Sequence, residues 1–405
     1  MKKLTFLLLI VAIISSIYIN SNAQWIPLNG PRGNNVSCFT AINSSLFAGT
    51  VGGGVYLSTD NGTNWNSVNN GLTNMFVYSL ISINTNLFAG TYGGAFLSTN
   101  NGASWSPVNN NLSSPYIHAF LAQSTVLFAG TLTGGVFLTS NNGSNWQAVN
   151  GGLSMLTVFS LSAISNTLFA GTVGGVFYSS NSGTNWFNTN NLLNNKITNS
   201  MAVIGTNLFA GTNNGGVYMT NNYGTNWISV NNGIPTQYIG IIISTGSNLF
   251  SGTAAGTYFS PDNGTNWISK NQGISSTDSV NALIISNNYI FAGVASKFVW
   301  RRLYSEAVQV QNISGVVPDN YYLSQNYPNP FNPTTNIYYQ ISNNSFVSLK
   351  IYNITGEEIS TLVNQKQEAG SYQVTFDGSS LASGIYFYKI KAGSFSVTKK
   401  MSLIK

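Results

Sequence analysis

The chain has 405 residues, 43% of them hydrophobic and only 6% charged, against roughly 25% charged in an ordinary soluble domain. That length admits two or three domains, and 23 Phe, 21 Tyr and 8 Trp exclude a disordered chain. Beyond residue 3, Lys and Arg stand singly except at Arg301–Arg302 and Lys399–Lys400, so the net charge of +6 forms no basic stripe for nucleic acid; one His, one Cys and nine carboxylates leave little for a metal site or acid–base chemistry, and no cofactor is expected.

In chain order, the first segment reads as an address. Lys2 and Lys3 precede an apolar run from Leu4 to Ile14, extended loosely to Ile19. Ser21-Asn22-Ala23 then offers small residues for cleavage, with Gln24 as the mature start. This predicts a signal peptide over residues 1–23 and Sec export. The run is shorter than the roughly 20 residues that span a bilayer, so no transmembrane segment is expected after cleavage. No Cys follows at the cleavage site, which argues against a lipoprotein, and Cys38, alone in the chain, can form no internal disulfide.

A repeat follows. LFAGT stands at Leu46–Thr50, Leu87–Thr91, Leu127–Thr131, Leu168–Thr172 and Leu208–Thr212, with LFSGT at Leu249–Thr253 and IFAGV at Ile290–Val294. Trp recurs at 25, 65, 105, 146, 186, 227 and 267, in steps of 40 or 41 residues. Each unit reads as four short strands, a to d, separated by Gly and Asn clusters that suit tight hairpins. In the second unit these are Val77–Ile83, Leu87–Thr91, Ala95–Ser98 and Trp105–Val108. Four antiparallel strands per unit of this length define a β-propeller blade. The seventh LFAGT-like unit lacks a Trp strand after Lys297–Leu303, and Trp25 lacks strands before it. The amino-terminal strand should therefore complete the last blade and remove two open sheet edges. The expectation is a seven-bladed propeller over residues 24–303.

The turn between strands c and d carries a recurring pattern. Ser58-Thr59-Asp60-Asn61-Gly62-Thr63-Asn64-Trp65 resembles the Asp-box of sialidases, sortilin-like propellers and photosystem II assembly factors, and Ser260–Trp267, with Asp262 and Gly264, matches as well. Asn100, Asn141, Asn181 and Asn222 replace the acid before Trp105, Trp146, Trp186 and Trp227. Either side chain can accept from turn amides, so the motif reads as a folding device. The resemblance implies a sialidase-like fold; a hydrolase of that kind would need an arginine triad or a carboxylate pair. Arg32, Arg301 and Arg302 with Asp60, Asp262 and Asp278 supply neither, so the chain is not expected to be an enzyme.

Recognition is expected where the repeat varies. If strand a enters at one face, the d–a and b–c loops share that face and the Asp-boxes lie opposite. The d–a loops vary most, and would set Phe76, Tyr116, His118, Met155, Lys196 and Tyr238 around one mouth. Such a neutral, aromatic rim suits a glycan or a protein segment, with glycan binding the leading form. The same loops could equally drift without a ligand, as in a structural or assembly-factor propeller. Cys38 aligns with Ser79, Ala119, Ser160 and Gly240 in strand a and reads as a small buried residue. Asp278-Ser279-Val280 resembles the O-glycosylation motif of exported Bacteroidota proteins, marking Ser279.

After Leu303 the repeat stops. Residues 304–320 read as a linker, and short alternating strands from Tyr321 onward predict a small Ig-like β-sandwich over residues 321–405. Tyr327-Pro328-Asn329-Pro330-Phe331-Asn332-Pro333, Ser383-Gly384-Ile385-Tyr386 and Lys399-Lys400-Met401 resemble the type A sorting domain of the type IX secretion system. The resemblance implies a secreted or surface location and that secretion machinery as a partner.

Overall fold

The computed structural model describes residues 24–31, 35–189, 192–193, 196–295, 298–308, 311–314, 318, 320–379 and 381–405. The expected signal peptide and Arg32 lie outside them.

Among the described residues, seven four-stranded antiparallel sheets form the blades of a propeller. The first blade uses Asn35–Ile42, Ser45–Val51, Gly54–Ser58 and Asn66–Ser67 as strands a to d. The second uses Val77–Ile83, Asn86–Thr91, Gly94–Ser98 and Ser106–Pro107, within a residue or two of the sequence reading. The LFAGT strands are the most deeply covered elements, with Phe47, Phe88, Phe169 and Phe209 fully buried between sheets. A strand buried on both faces needs this unbroken apolar run.

Ring closure follows from the displaced first strand. Ile26–Pro27 pairs with Val299–Leu303, so the last blade is ordered Ile26–Pro27, Val299–Leu303, Tyr289–Val294, Val280–Ser286. The Trp25 amide donates to Gln272 O at 2.7 Å, and its indole donates to Lys270 O at 2.7 Å. Arg301 reaches across the other junction, from the last blade to the first, and donates to Asn61 O at 2.6 Å.

The Trp column links neighbours around the ring. Trp105, Trp146, Trp186, Trp227 and Trp267 each donate to the strand-d carbonyl of the preceding blade, at Val68, Val108, Val149, Thr189 and Val230. The c–d turns repeat one hydrogen-bond set. Asp60 Oδ1 accepts from the Ser58 hydroxyl and the Asn64 amide, both at 2.9 Å, while Ser58 Oγ accepts from Gly62 N at 2.7 Å. Asn141 Oδ1 does the same with Thr139 at 2.8 Å and Asn145 at 3.0 Å, and Asp262 with Ser260 at 2.8 Å and Asn266 at 2.9 Å. Only the carbonyl-type oxygen is used on these donors, which is why Asp and Asn interchange.

A four-residue helical turn, Tyr304–Ala307, follows the propeller. Beyond it, two four-stranded sheets face each other. One contains Gln311–Ser314, Gly370–Asp377, Thr334–Ile341 and Tyr322–Leu323; the other Glu358–Gln367, Ser345–Tyr352, Gly384–Ala392 and Phe395–Leu403. Alternating inward residues make the core, including Ile337, Tyr339, Leu349, Ile351, Tyr388 and Met401. Phe331 is 1% exposed and clasps the terminal strand: its amide donates to Ser402 O at 2.9 Å and its carbonyl accepts from Ile404 N at 3.0 Å. Pro333 O accepts from Gly378 N, and the Tyr386 hydroxyl donates to Ala382 O. Pro328 and Pro330 lie exposed on this loop, Gly384 opens its strand, and Lys399 and Lys400 lie on the terminal edge strand.

Candidate functional site

Strand a is irregular in every blade. The register against strand b slips once, between Val36 and Cys38, Val77 and Ser79, Ile117 and Ala119, Val158 and Ser160, Thr198 and Ser200, Ile239 and Ile241, and Val280 and Ala282. The skipped residues are Ser37, Tyr78, His118, Phe159, Asn199, Gly240 and Asn281. A β-bulge re-aims one side chain and sharpens the local twist. Here it turns seven side-chain positions toward the axis, and all seven line one cavity of about 490 Å³ at the end of the axial channel. The expected alignment of Gly240 with Cys38 is off by one: Ile241 holds that place, and Gly240 is the skipped residue of its blade. Cys38 itself reaches the cavity edge, but its sulfur packs against Gly49 and burial pushes the thiol up to about 12.

The cavity is chemically divided. Aromatic rings run in contact from the outer rim inward. Tyr92 lies 4.9 Å from Tyr116, Tyr116 lies 4.8 Å from Tyr78, Tyr78 stacks on His118 at 5.4 Å, and His118 meets Phe159 edge-on at 4.9 Å. These separations are those of favourable aromatic pairs. The facing positions are Ser37, Asn199 and Asn281, with no Asp, Glu, Lys or Arg among the described cavity-lining residues. The Asn199 amide donates to Ile239 O of the next blade at 2.9 Å. Burial holds the His118 imidazole below its ordinary pKa, against a backbone hydrogen bond at Phe159 that favours the cation. Burial also raises the Tyr116 hydroxyl, helped by Tyr78, and raises Tyr238. Burial therefore favours the neutral forms of His118, Tyr116 and Tyr238.

The six sequence-derived rim residues divide unevenly. His118 and Tyr238 line the cavity, and Tyr116 joins the ring series. His118 belongs to strand a, in Ile117–Gln123, rather than to a loop. Phe76 and Met155 are exposed on the same face, beside exposed Met75 and Leu156. Backbone bonds confirm that shared face: Tyr92 N donates to Phe76 O, Leu132 N to Tyr116 O and Gly135 N to Leu156 O. Lys196 does not line the cavity; its ammonium sits 5.8 Å over the Tyr218 ring. Tyr78, Tyr92, Phe159, Asn199 and Asn281 escaped the sequence reading, which looked only at d–a loops. The available signal was the variable residue directly after the first apolar residue of each strand a. The Ser279 hydroxyl donates to Asn281 Oδ1 at 3.1 Å, and Ser279 is half-buried at the rim.

No carboxylate lines the cavity among the described residues, although Asp278 stands beside rim residue Ser279. Asp60 and Asp262 are engaged in c–d turns on the opposite face, and the Ser275 amide donates to Asp278 Oδ2 at 3.2 Å. Among the described residues no group of three His, Cys, Asp or Glu could hold a metal, and no helix is long and apolar enough to cross a membrane.

Residues 325–405 match the secretion system C-terminal sorting domain, and residues 114–251 match the DUF6242 β-propeller domain. The chain is thus a β-propeller protein with a type IX sorting tail, which implies secretion to the cell surface or beyond. No curated protein matches the sequence. Among solved structures, the chain resembles PorZ, described as an essential bacterial surface component of the type IX secretion system of Porphyromonas gingivalis. That match has 16% identity and a TM-score of 0.54, and covers 94% of this chain and 61% of that one. YCF48 bound to D1 peptide matches at 16% identity and TM-score 0.57, covering 70% of this chain and 98% of that one. The GH74 xyloglucanase of Xanthomonas campestris matches at 14% identity and TM-score 0.57, covering 70% and 54%. The chain therefore spans about three fifths of the PorZ chain and about half of the xyloglucanase, and at these identities the likeness is one of fold.

Proposed function

We propose that this is an exported, non-catalytic binding protein, delivered by its C-terminal domain, whose propeller takes an uncharged polypeptide segment at the axial mouth. The observation that carries the reading is the unbroken ring series from exposed Tyr92 through Tyr116, Tyr78 and His118 to Phe159. Exposed Met75, Phe76, Met155 and Leu156 surround its outer end. Thioether and aliphatic groups around aromatic anchors are the composition of a protein-binding core rather than of a sugar site. A peptide-bound propeller of the same fold supports the choice. A neutral glycan is the second reading, favoured by the amides of Asn199 and Asn281 opposite the rings.

Hydrolysis has less support. The likeness to GH74 enzymes concerns fold, and the cavity lining has no carboxylate to serve as acid, base or nucleophile.

The test is capture of partners from outer-membrane and medium fractions by immobilised protein, alongside a glycan array. The parent chain should retain a dominant polypeptide, and the Tyr92→Ala/Tyr116→Ala double variant should weaken that retention by about tenfold. Unchanged retention by a variant with an unaltered melting curve would remove this face from consideration. Turnover of a glycan substrate would overturn the non-catalytic reading.

A further inference from the structure

The repeat places a left-handed residue before the glycine of each c–d turn. Asn61, Asn101, Asn142, Ser182 and Asn263 occupy it with φ between 50° and 57°. Asn and Ser suit this conformation because a short polar side chain can bond locally. The fifth blade breaks the pattern with Tyr223, at φ 57° and 44% exposed. A bulky ring in the left-handed region stores backbone strain, and here burial of the ring does not offset it.

Tyr223 lines a groove of about 540 Å³ between the fourth and fifth blades, with Thr167, Tyr178, Asn188, Thr189, Asn222 and Thr225. Tyr178 pairs across strands with Phe187, ring centroids 5.5 Å apart, and Phe187 is 52% exposed. The position after the Trp is Asn66, Ser106 and Gln147 in the first three blades and Ile228, Ile268 and Ile26 in the last three, so Phe187 is the one aromatic ring at that place. At the floor, Thr189 takes the place filled by Val68, Val108, Val149 and Val230 at other junctions, and it packs beneath Gly224. The groove lies on the face of the c–d turns, opposite the axial mouth described above.

We propose that this groove is a second binding site, for a neutral saccharide. The lining carries aromatic faces, side-chain amides and hydroxyls and no charged side chain. A pyranose presents an apolar C–H face bordered by hydroxyls, which matches stacking on Tyr223 and Tyr178 with polar contacts from the Asn and Thr edges. The absence of charge in the lining disfavours uronic acids and sulfated sugars, whose anionic groups would find no counter-charge. The volume falls within the ordinary range for small ligands. An exposed ring held in a strained conformation is retained here, where the equivalent turns use Asn or Ser.

The full chain is titrated by calorimetry and saturation-transfer NMR with cellotetraose, maltotetraose and chitotetraose, and with a heparin tetrasaccharide as the charged control. At least one neutral probe should bind and the heparin fragment should not. Tyr223→Asn restores the residue used in the equivalent turns, so it should raise the denaturation midpoint while weakening saccharide binding about tenfold or more. Phe187→Ser should weaken the same binding, and Ile228→Ser, at the equivalent place in the next blade, should leave it unchanged. The proposal is overturned if no neutral probe binds, if heparin binds as well as the neutral probes, or if Tyr223→Asn binds as tightly as the parent.

Discussion

The inter-blade tryptophans make a quantitative test possible, because one of them is different. The indole of Trp105 is 4% exposed and donates to Val68 O at 2.7 Å. The indole nitrogen of Trp65 is buried and has no hydrogen-bond partner among the described residues. Its counterpart acceptor, 37 residues earlier, is Leu28 O, which instead accepts from Gly30 N at 3.0 Å. Replacing either Trp by Phe removes similar volume. At Trp105 the change also strands a buried carbonyl, at about 1–3 kcal/mol. At Trp65 no bond is lost, and the less buried ring leaves a smaller void. Trp105→Phe should therefore be the more destabilising by about 2 kcal/mol, which moves a urea midpoint by roughly half to one molar. Equilibrium unfolding followed by circular dichroism and by tryptophan fluorescence reads the difference. Equal midpoints, or a larger loss at Trp65, would refute the claim that the indole hydrogen bonds, rather than ring volume alone, couple neighbouring blades.

Two further outcomes follow from the same geometry. Burial lowers the His118 pKa in the folded chain, so the unfolded chain binds more protons below about 6.5; stability should be full above that pH and fall as acid is added, and His118→Phe should flatten that part of a melting-temperature profile, whereas an unchanged slope would remove His118 as its source. Gly71 has φ +80° and an added Cβ would lie 2.2 Å from Trp105 O, whereas Gly205 at φ +57° meets nothing within 4 Å; Gly71→Ala should lower stability by more than about 2 kcal/mol and Gly205→Ala by about 1 kcal/mol, read by urea unfolding.

The blade pattern was legible because its markers are hydrogen-bonding devices rather than mere hydrophobic spacing. The Thr of LFAGT closes the b–c turn, as Thr50 Oγ1 does on Gly54 O at 2.9 Å. The Asn four residues after the Trp clips the same turn: Asn69 Oδ1 accepts from Val55 N at 2.7 Å and its amide donates to Gly53 O at 3.0 Å. Each device needs one side-chain type at one place, so the Thr stands in every copy but the last, where Val294 replaces it, and survives as text. The axial mouth was less legible for the opposite reason. A bulge is a fact of pairing between two strands, and a single strand does not display it. Without it Tyr78 and Phe159 read as ordinary strand residues, and Gly240 does not show as the skipped residue of its blade. Tyr116 and Tyr238 were found because they precede the strand, where variability is visible without knowing register.

The two sites also differ in what their residues argue. The bulge column places no demand on side-chain type beyond fitting the axis: Ser37, Tyr78, His118, Phe159, Asn199, Gly240 and Asn281 all satisfy it. Its case for function rests on continuity, since rings that merely drifted would be scattered around the channel rather than joined across three successive blades and the adjoining rim. The left-handed column does constrain type, because a side chain other than Gly or a short polar residue such as Asn, Asp or Ser is disfavoured there by on the order of 1 kcal/mol. Tyr223 therefore carries weight as a single residue: the fold has an inexpensive solution at that turn, uses it in the equivalent copies, and forgoes it beside a groove that exposes Phe187 as well. In a repeated frame, a departure that the frame tolerates needs company to signify a site, whereas a departure that the frame penalises signifies one alone.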